Sequence, residues 1–265
     1  MSDKSLLAKL LATENITVQK NPALKTAMFD LRNRVLMLPV WQGISNDLED
    51  LLLVHETGHA LDTPDAETYK KTSEDIAARV FPGEKISDTL ARTVQGFLNV
   101  IEDARIDKRQ KRRYPGCRRN YLIGYKELVD RDFFGTAKRD INSMNFIDRL
   151  NMYFKGGNIH YNITFTPEEK VMLKKVENAE TWDEVVSLTE EIYAYCKKKL
   201  EELNDMEIDI IAGESDDDDV DADGDFDFED GDGDGDENGK SQGRQGGEGD
   251  LNGQSGYGKG AGSSD

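Results

Sequence analysis

The stretch that decides the fold is Leu51-Leu52-Leu53-Val54-His55-Glu56-Thr57-Gly58-His59-Ala60-Leu61. On a helix, positions i and i+4 lie on one face, so His55 and His59 can hold one Zn²⁺ between them. Glu56 then lies beside the metal, where it can take a proton from an attacking water and pass it to a leaving amine. The apolar residues on both sides indicate that this helix is largely buried. The stretch therefore predicts a catalytic zinc site on a buried helix.

A chance match on an ordinary buried helix is the alternative, because short motifs produce false positives. The chain has only three histidines, and two of them fall in this motif. Two buried imidazoles one turn apart also need polar partners. We therefore favour the metal site. Gly58 weakens the helix, but a small residue there allows another segment or a substrate to approach closely.

A catalytic zinc takes three protein ligands and keeps one position open for water. Asp65 is one candidate for the third ligand, because it lies six residues after His59, as in metzincins. The glycine expected at the third position after His59 is Asp62 in this chain. Asp65 is therefore kept as the alternative ligand.

The favoured third ligand is Glu102, which follows an apolar stripe on a later predicted helix. A carboxylate on a second helix resembles the gluzincin arrangement. Asn99 and Asp103 are candidates to accept a hydrogen bond from a histidine ring and so fix its tautomer. The structural alternative is that Glu102 and Asp103 only pair with Arg105 or Arg109. His160, in a Gly-Gly-Asn loop, is interpreted as a surface or substrate-side residue.

The charge of the chain is concentrated in its last fifth. Of the formal net charge of −19, residues 213–265 carry −15, and residues 1–212 carry only −4. This acidity argues against nucleic acid as a partner, because phosphates would be repelled. Low-complexity Asp, Gly, Ser and Gln cannot offset the entropy of ordering, so residues 213–265 are predicted to be a disordered acidic tail.

Two cysteines, Cys117 and Cys196, lie far apart and are interpreted as free thiols in a reducing compartment. The N-terminal apolar run is too short for a signal peptide, and no stretch is long enough to cross a membrane. We therefore expect a cytoplasmic protein with no membrane partner.

Apolar periodicity and capping residues predict an α+β fold that is mainly α-helical. A small N-terminal sheet and the motif helix belong to a zincin-like metallopeptidase domain over residues 1–165, and a helical hairpin annex follows over residues 166–212. Predicted strands cover residues 16–19, 26–29 and 35–39, and predicted helices cover residues 4–13, 46–61, 66–80, 88–113, 121–131, 142–154, 166 onward and 181–205.

Five cations crowd the predicted end of the 88–113 helix: Lys108, Arg109, Lys111, Arg112 and Arg113. Cations are favoured at the negative end of a helix, so a solvated helix end is the preferred interpretation. Binding of an anion or an acidic partner is the alternative.

Two blocks, His-Glu-Thr-Gly-His-Ala-Leu-Asp-Thr-Pro and Asn-Val-Ile-Glu-Asp-Ala-Arg-Ile-Asp, resemble bacteriophage-encoded zinc metallopeptidases related to the CobT-type cobaltochelatase subunit. The resemblance covers roughly residues 50–125. It implies a zinc peptidase acting on a protein or peptide in the host cytoplasm, or associated with the virion. Many such proteins continue through an acidic linker into a von Willebrand A domain and work with a MoxR-type AAA+ ATPase. No Asp-x-Ser-x-Ser motif occurs here, so the A domain is expected either to be encoded separately or to have been lost, and an ATPase partner is expected only in the first case.

Two functional hypotheses follow from these patterns. The first is a zinc-dependent peptidase with His55, His59 and Glu102 as ligands and Glu56 as general base. The second is a non-catalytic, metal-stabilised adaptor that recruits partners through its acidic tail.

Overall fold

A computed structural model describes residues 3–83 and 85–207. The described chain is mainly helical with a small three-stranded sheet, which confirms the predicted α+β, mainly α class. The predicted acidic tail over residues 213–265 lies outside the described residues.

The sheet contains β1 (Thr17–Asn21), β2 (Met28–Asp30) and β3 (Val35–Pro39), and β3 lies in the centre. Strand β3 pairs parallel with β1 and antiparallel with β2. Its alternate residues Leu36 and Leu38 are buried, as the period of two along a strand requires. A tight turn connects β2 to β3. The next helix in the chain after β3 is the motif helix.

The motif helix is α2 (Asn46–Asp62), which follows α1 (Asp3–Ala12) and the sheet. Its N-cap is Ser45, whose hydroxyl accepts a 3.0 Å hydrogen bond from the Leu48 amide. The observed bounds agree closely with the helix predicted over residues 46–61. The preference of serine for the N-cap explains the observed start, while the acidic residues occupy the first turn.

The long helix α4 (Asp88–Arg113) packs against α2 and carries the second group of site residues. Gly58 permits this approach, because a Cβ atom there would lie 3.1–3.3 Å from the Gln110 and Ile106 side chains. The side-chain amide of Gln110 is buried and donates to the Val54 carbonyl at 2.8 Å. The segment that Gly58 admits is therefore α4.

The remaining helices surround this pair. Observed and predicted bounds agree closely for the helices predicted over residues 66–80 and 88–113. The helix predicted from residue 121 begins three residues earlier, and residues 142–154 divide into shorter elements. The elements are α3 (Ala66–Val80), a 3₁₀ turn (Pro115–Cys117), α5 (Arg118–Asp130), a 3₁₀ turn (Ile141–Ser143), α6 (Phe146–Met152), a kinked π turn (Tyr153–Gly157), α7 (Asn158–His160), α8 (Pro167–Asn178) and α9 (Trp182–Glu207).

None of the helices within residues 3–83 and 85–207 combines the length and the apolar character needed to cross a membrane.

Candidate metal centre

Two helices bring three potential ligands together: His55 and His59 from α2, and Asp103 from α4. Oδ1 of Asp103 lies 3.2 Å from Nε2 of His59 and 3.6 Å from Nε2 of His55. The His59 and Asp103 side chains are 3% and 5% exposed, and that of His55 is 14% exposed. All three side chains of the cluster are therefore largely buried.

The tautomer of His55 is set by Asp107, one turn after Asp103 on α4. Oδ1 of Asp107 lies 2.8 Å from Nδ1 of His55, and a carboxylate can only accept, so Nδ1 carries the proton. The hydroxyls of Tyr121 and Tyr125 donate to the same carboxylate at 2.7 and 3.0 Å. In the neutral ring this leaves Nε2 on the side of Asp103, where its lone pair would be available to a metal ion.

The tautomer of His59 is set by a relay through Thr63. The Thr63 hydroxyl donates its only proton to Oε1 of Glu102 at 2.7 Å. It therefore accepts from Nδ1 of His59, which lies 2.9 Å away. In their neutral forms both histidines thus carry the proton on Nδ1, and both turn Nε2 toward the carboxylate of Asp103.

Glu102, the predicted third ligand, is fully buried and lies outside the group formed by His55, His59 and Asp103. Its carboxylate accepts hydrogen bonds from Nε and Nη2 of Arg105 at 2.8 and 2.7 Å, besides the Thr63 hydroxyl. The structure therefore places Asp103 with the histidines, at the position predicted for Glu102, and Glu102 bonds to Thr63 and Arg105 instead. Adjacent residues on a helix point about 100° apart, so only one of the two can face α2.

The other two predicted site residues lie outside the cluster. Asp65 is the N-cap of α3, where its carboxylate accepts a 3.0 Å hydrogen bond from the Thr68 amide. This bond holds the pKa of Asp65 below its usual range. Asn99 is half-buried on α4 and makes no hydrogen bond to either histidine.

Glu56 is 3% exposed, and its Oε2 atom has no hydrogen-bond partner among the described residues. Burial raises the pKa of this carboxyl, while the neighbouring imidazoles of His55 and His59 oppose the shift. A carboxyl with a raised pKa is suited to exchange protons near neutral pH.

Lys155 brings a cation to the same place from the kinked Tyr153–Gly157 turn, where Gly156 has a φ of +86°. Its ammonium lies 3.2 Å from Oδ2 of Asp103. Asp103 therefore turns one oxygen toward the histidines and the other toward Lys155.

The electrostatics favour a cation in this site. Burial opposes charge on His55, but the carboxylates of Asp107 and Asp103 outweigh it and raise the His55 pKa to about 9. Burial likewise opposes charge on Asp103, yet His55 and Lys155 hold the pKa of Asp103 far below its usual range. A carboxylate that stays ionised beside two imidazoles is a suitable donor set for a metal ion.

The distances also fit a metal ion. Tetrahedral zinc with bonds of about 2.0–2.1 Å requires ligand atoms roughly 3.3 Å apart. The two distances to Oδ1 of Asp103 are 3.2 and 3.6 Å, and all three ligand atoms lie within 4.8 Å of one another. His55, His59 and Asp103 could therefore hold a metal ion after small side-chain adjustments.

Three residues of this site were not predicted from the sequence: Thr63, Asp107 and Lys155. The spacing of Asp107 from Asp103 is i+4, which matches the spacing of the two histidines and was a usable signal. Thr63 and Lys155 gave none, because each lies beyond the end of a helix. His160 lies near the same turn, and its Nε2 is buried without a hydrogen-bond partner among the described residues.

Comparison of the chain with protein-family models, with curated proteins and with solved structures finds no match.

Proposed function

We propose that this chain is a zinc-dependent metallopeptidase with a zincin-like core, in which His55, His59 and Asp103 are the zinc ligands. The observation that carries the proposal is the convergence of both Nε2 atoms of the His-Glu-x-x-His motif on one buried carboxylate oxygen. Three protein ligands leave one coordination position open, as catalytic zinc sites do. The relationship to CobT-type phage metallopeptidases, and a separately encoded von Willebrand A or AAA+ partner, belong to the same proposal.

When bound, zinc would lower the pKa of a water molecule and polarise the scissile carbonyl. Glu56 would accept the proton of the attacking water and deliver it to the leaving amine, for which its raised pKa is suitable. Asp107 and Thr63 keep the histidines in the tautomer that presents Nε2. Lys155 holds the outer oxygen of Asp103, so that only one oxygen faces the histidines.

The test compares the wild-type chain with Glu56→Gln, which keeps the size of the side chain but removes its basicity. Metal content is measured by mass spectrometry, and cleavage is measured on a mixture of unstructured peptides. We expect about one zinc per chain in both proteins. Hydrolysis should fall by about 100-fold or more in the variant. Glu49→Gln, on the same helix but away from the histidines, is the matched control and should cleave as the wild type does.

The possible outcomes separate the two hypotheses. Zinc binding without any cleavage by the wild type would favour the metal-stabilised adaptor. Equal cleavage by wild type and Glu56→Gln would remove Glu56 from the mechanism. A folded wild-type chain without zinc would reject the metal centre itself.

A further inference from the structure

A cavity of about 370 Å³ lies beside the C-terminal half of α4, next to the start of α5 and the end of α8. Its volume is at the lower end of the range for small-ligand sites. Six of the side chains that line it are ionisable: Asp107, Lys108, Lys111, Arg112, Arg118 and Glu177. Four of the six are cations, so the excess charge of the wall is positive.

The two acids of the wall are already engaged with other groups. Asp107 accepts hydrogen bonds from His55, Tyr121 and Tyr125. Glu177 accepts a 2.8 Å hydrogen bond from the Tyr153 hydroxyl. Neither carboxylate lies within ion-pair distance of a cation of the wall, although Lys111 is close enough to Asp107 to interact with it electrostatically.

Two of the four cations are neutralised locally. Lys108 and Arg112 share the carboxylate of Glu180, at 3.1 and 2.5 Å. The amine of Lys108 also donates to the Glu177 carbonyl at 3.0 Å. These two side chains line the cavity, but their positive charges are largely offset by the carboxylate of Glu180.

Lys111 and Arg118 differ from them, because neither forms an ion pair with a described carboxylate. The ammonium of Lys111 lies over the Tyr121 ring, 4.3 Å from its centroid. Among the described residues, the Arg118 guanidinium is engaged through Nε alone, which donates to the Lys111 carbonyl at 3.2 Å. The two terminal nitrogens of its guanidinium therefore stay available for a ligand.

We propose that this cavity binds a small ligand bearing a carboxylate or phosphate group, held by Lys111 and Arg118. A guanidinium binds the oxygens of such a group in pairs, and an ammonium adds a point charge. Phe154 also lines the cavity and offers an apolar surface to the rest of the ligand. The basic cluster at the end of α4 thus contains an anion site, and its other members are paired with Asp62 or Glu180.

This site is separate from the metal centre, although Asp107 belongs to both. Asp107 presents one side to the cavity and accepts the Nδ1 proton of His55 on the other. A bound anion would be separated from His55 by one residue, Asp107, which is hydrogen-bonded to that histidine. The inference does not depend on peptidase activity.

Isothermal titration calorimetry on the full-length, metal-depleted chain tests the proposal, with inorganic phosphate and glutarate as separate probes at constant ionic strength. We expect saturable binding of at least one probe, and the probe that binds identifies the anion. Lys111→Met and Arg118→Ala should each weaken binding by about tenfold or more. Arg119→Ala is the matched control, because Arg119 is the next residue on α5, is 76% exposed and does not line the cavity.

Three results would overturn the proposal: no saturable binding of either probe, unchanged binding by Arg118→Ala, or equal weakening by Arg119→Ala. His59→Ala separates this site from the metal centre and should bind the anion as the wild type does. Loss of binding in that variant would place the anion at the histidines instead. Circular dichroism of each variant verifies that the fold is retained.

Discussion

Nδ1 of His55 donates a 2.8 Å hydrogen bond to Oδ1 of Asp107, one helical turn beyond the carboxylate that faces Nε2 of the same ring. Asp103 and Asp107 therefore contact opposite edges of one imidazole. This arrangement orients the ring, fixes its tautomer and increases its basicity, which are the effects that outer hydrogen-bond partners have on metal-binding histidines.

Asp107→Asn should weaken metal binding without removing a ligand. The amide cannot supply the charge that makes His55 a strong donor, so we expect the zinc affinity to fall by about 10–100-fold. Competition with a chromophoric chelator measures the affinity. Asp65→Asn is a suitable control, because Asp65 lies at the exposed cap of α3. Equal affinities for Asp107→Asn and the wild type would contradict this role.

The third ligand is tested by paired substitutions at adjacent positions. Asp103→Asn should abolish stoichiometric zinc binding, measured by mass spectrometry, because Oδ1 of Asp103 is the oxygen that faces both histidines. Glu102→Gln should retain zinc but lower the free energy of unfolding by about 3 kcal/mol, since it leaves the buried Arg105 without its carboxylate. Urea denaturation measures the second effect. Zinc retained by Asp103→Asn and lost by Glu102→Gln would restore the original assignment.

The sequence predicted most of the helical framework, because the signals for helix ends are local. Ser87 and Thr166 accept hydrogen bonds from the third residue of their helices, as their positions in the sequence indicated. Irregular segments were less predictable. In residues 142–154, apolar spacing indicated one helix, whereas the structure has a 3₁₀ turn, α6 and a kink at Lys155 and Gly156.

The site was predictable on one helix and ambiguous on the other. The spacing of His55 and His59 decides their common face, because both lie on α2. The choice between Glu102 and Asp103 depends on the rotation of α4 about its axis, which is set by packing against α2. Ile101 and Ile106 are both fully buried, so the apolar stripe did not distinguish between the two acidic residues.

Gly124 provides a test of the packing between α5 and α2. A Cβ atom there would lie 2.7–2.8 Å from the Leu51 side chain and 3.2 Å from the Leu48 Cα. Gly124→Ala should therefore lower the free energy of unfolding by about 1–3 kcal/mol, despite the higher helix propensity of alanine. The control is Gly96→Ala in α4, where a Cβ atom would meet no described atom within 4 Å beyond the nearby backbone of its own helix, and it should stabilise the protein by up to about 1 kcal/mol. Chemical denaturation of both variants measures the difference, and equal stabilities would contradict the close approach.

Glu169 provides a test in which stability depends on pH. Its carboxylate is 4% exposed and accepts hydrogen bonds from Arg149, from the Thr166 amide and from Tyr195. Burial opposes its charge, but the hydrogen bonds and the charge of Arg149 outweigh burial and hold the pKa of Glu169 below its usual value of 4.5.

A carboxyl with a lowered pKa in the folded chain stabilises the fold above its unfolded pKa, and the stabilisation is lost as pH falls through the folded value. Glu169→Gln should therefore lower the free energy of unfolding by about 2 kcal/mol at neutral pH. The difference from wild type should shrink progressively as the pH falls below 4.5. Glu168→Gln, at the exposed neighbouring position, is the control and should change little at any pH. Urea titrations between neutral pH and pH of about 3 measure both variants. A difference for Glu169→Gln that stays constant across this range would mean that the ion pair with Arg149 contributes nothing to stability through its charge.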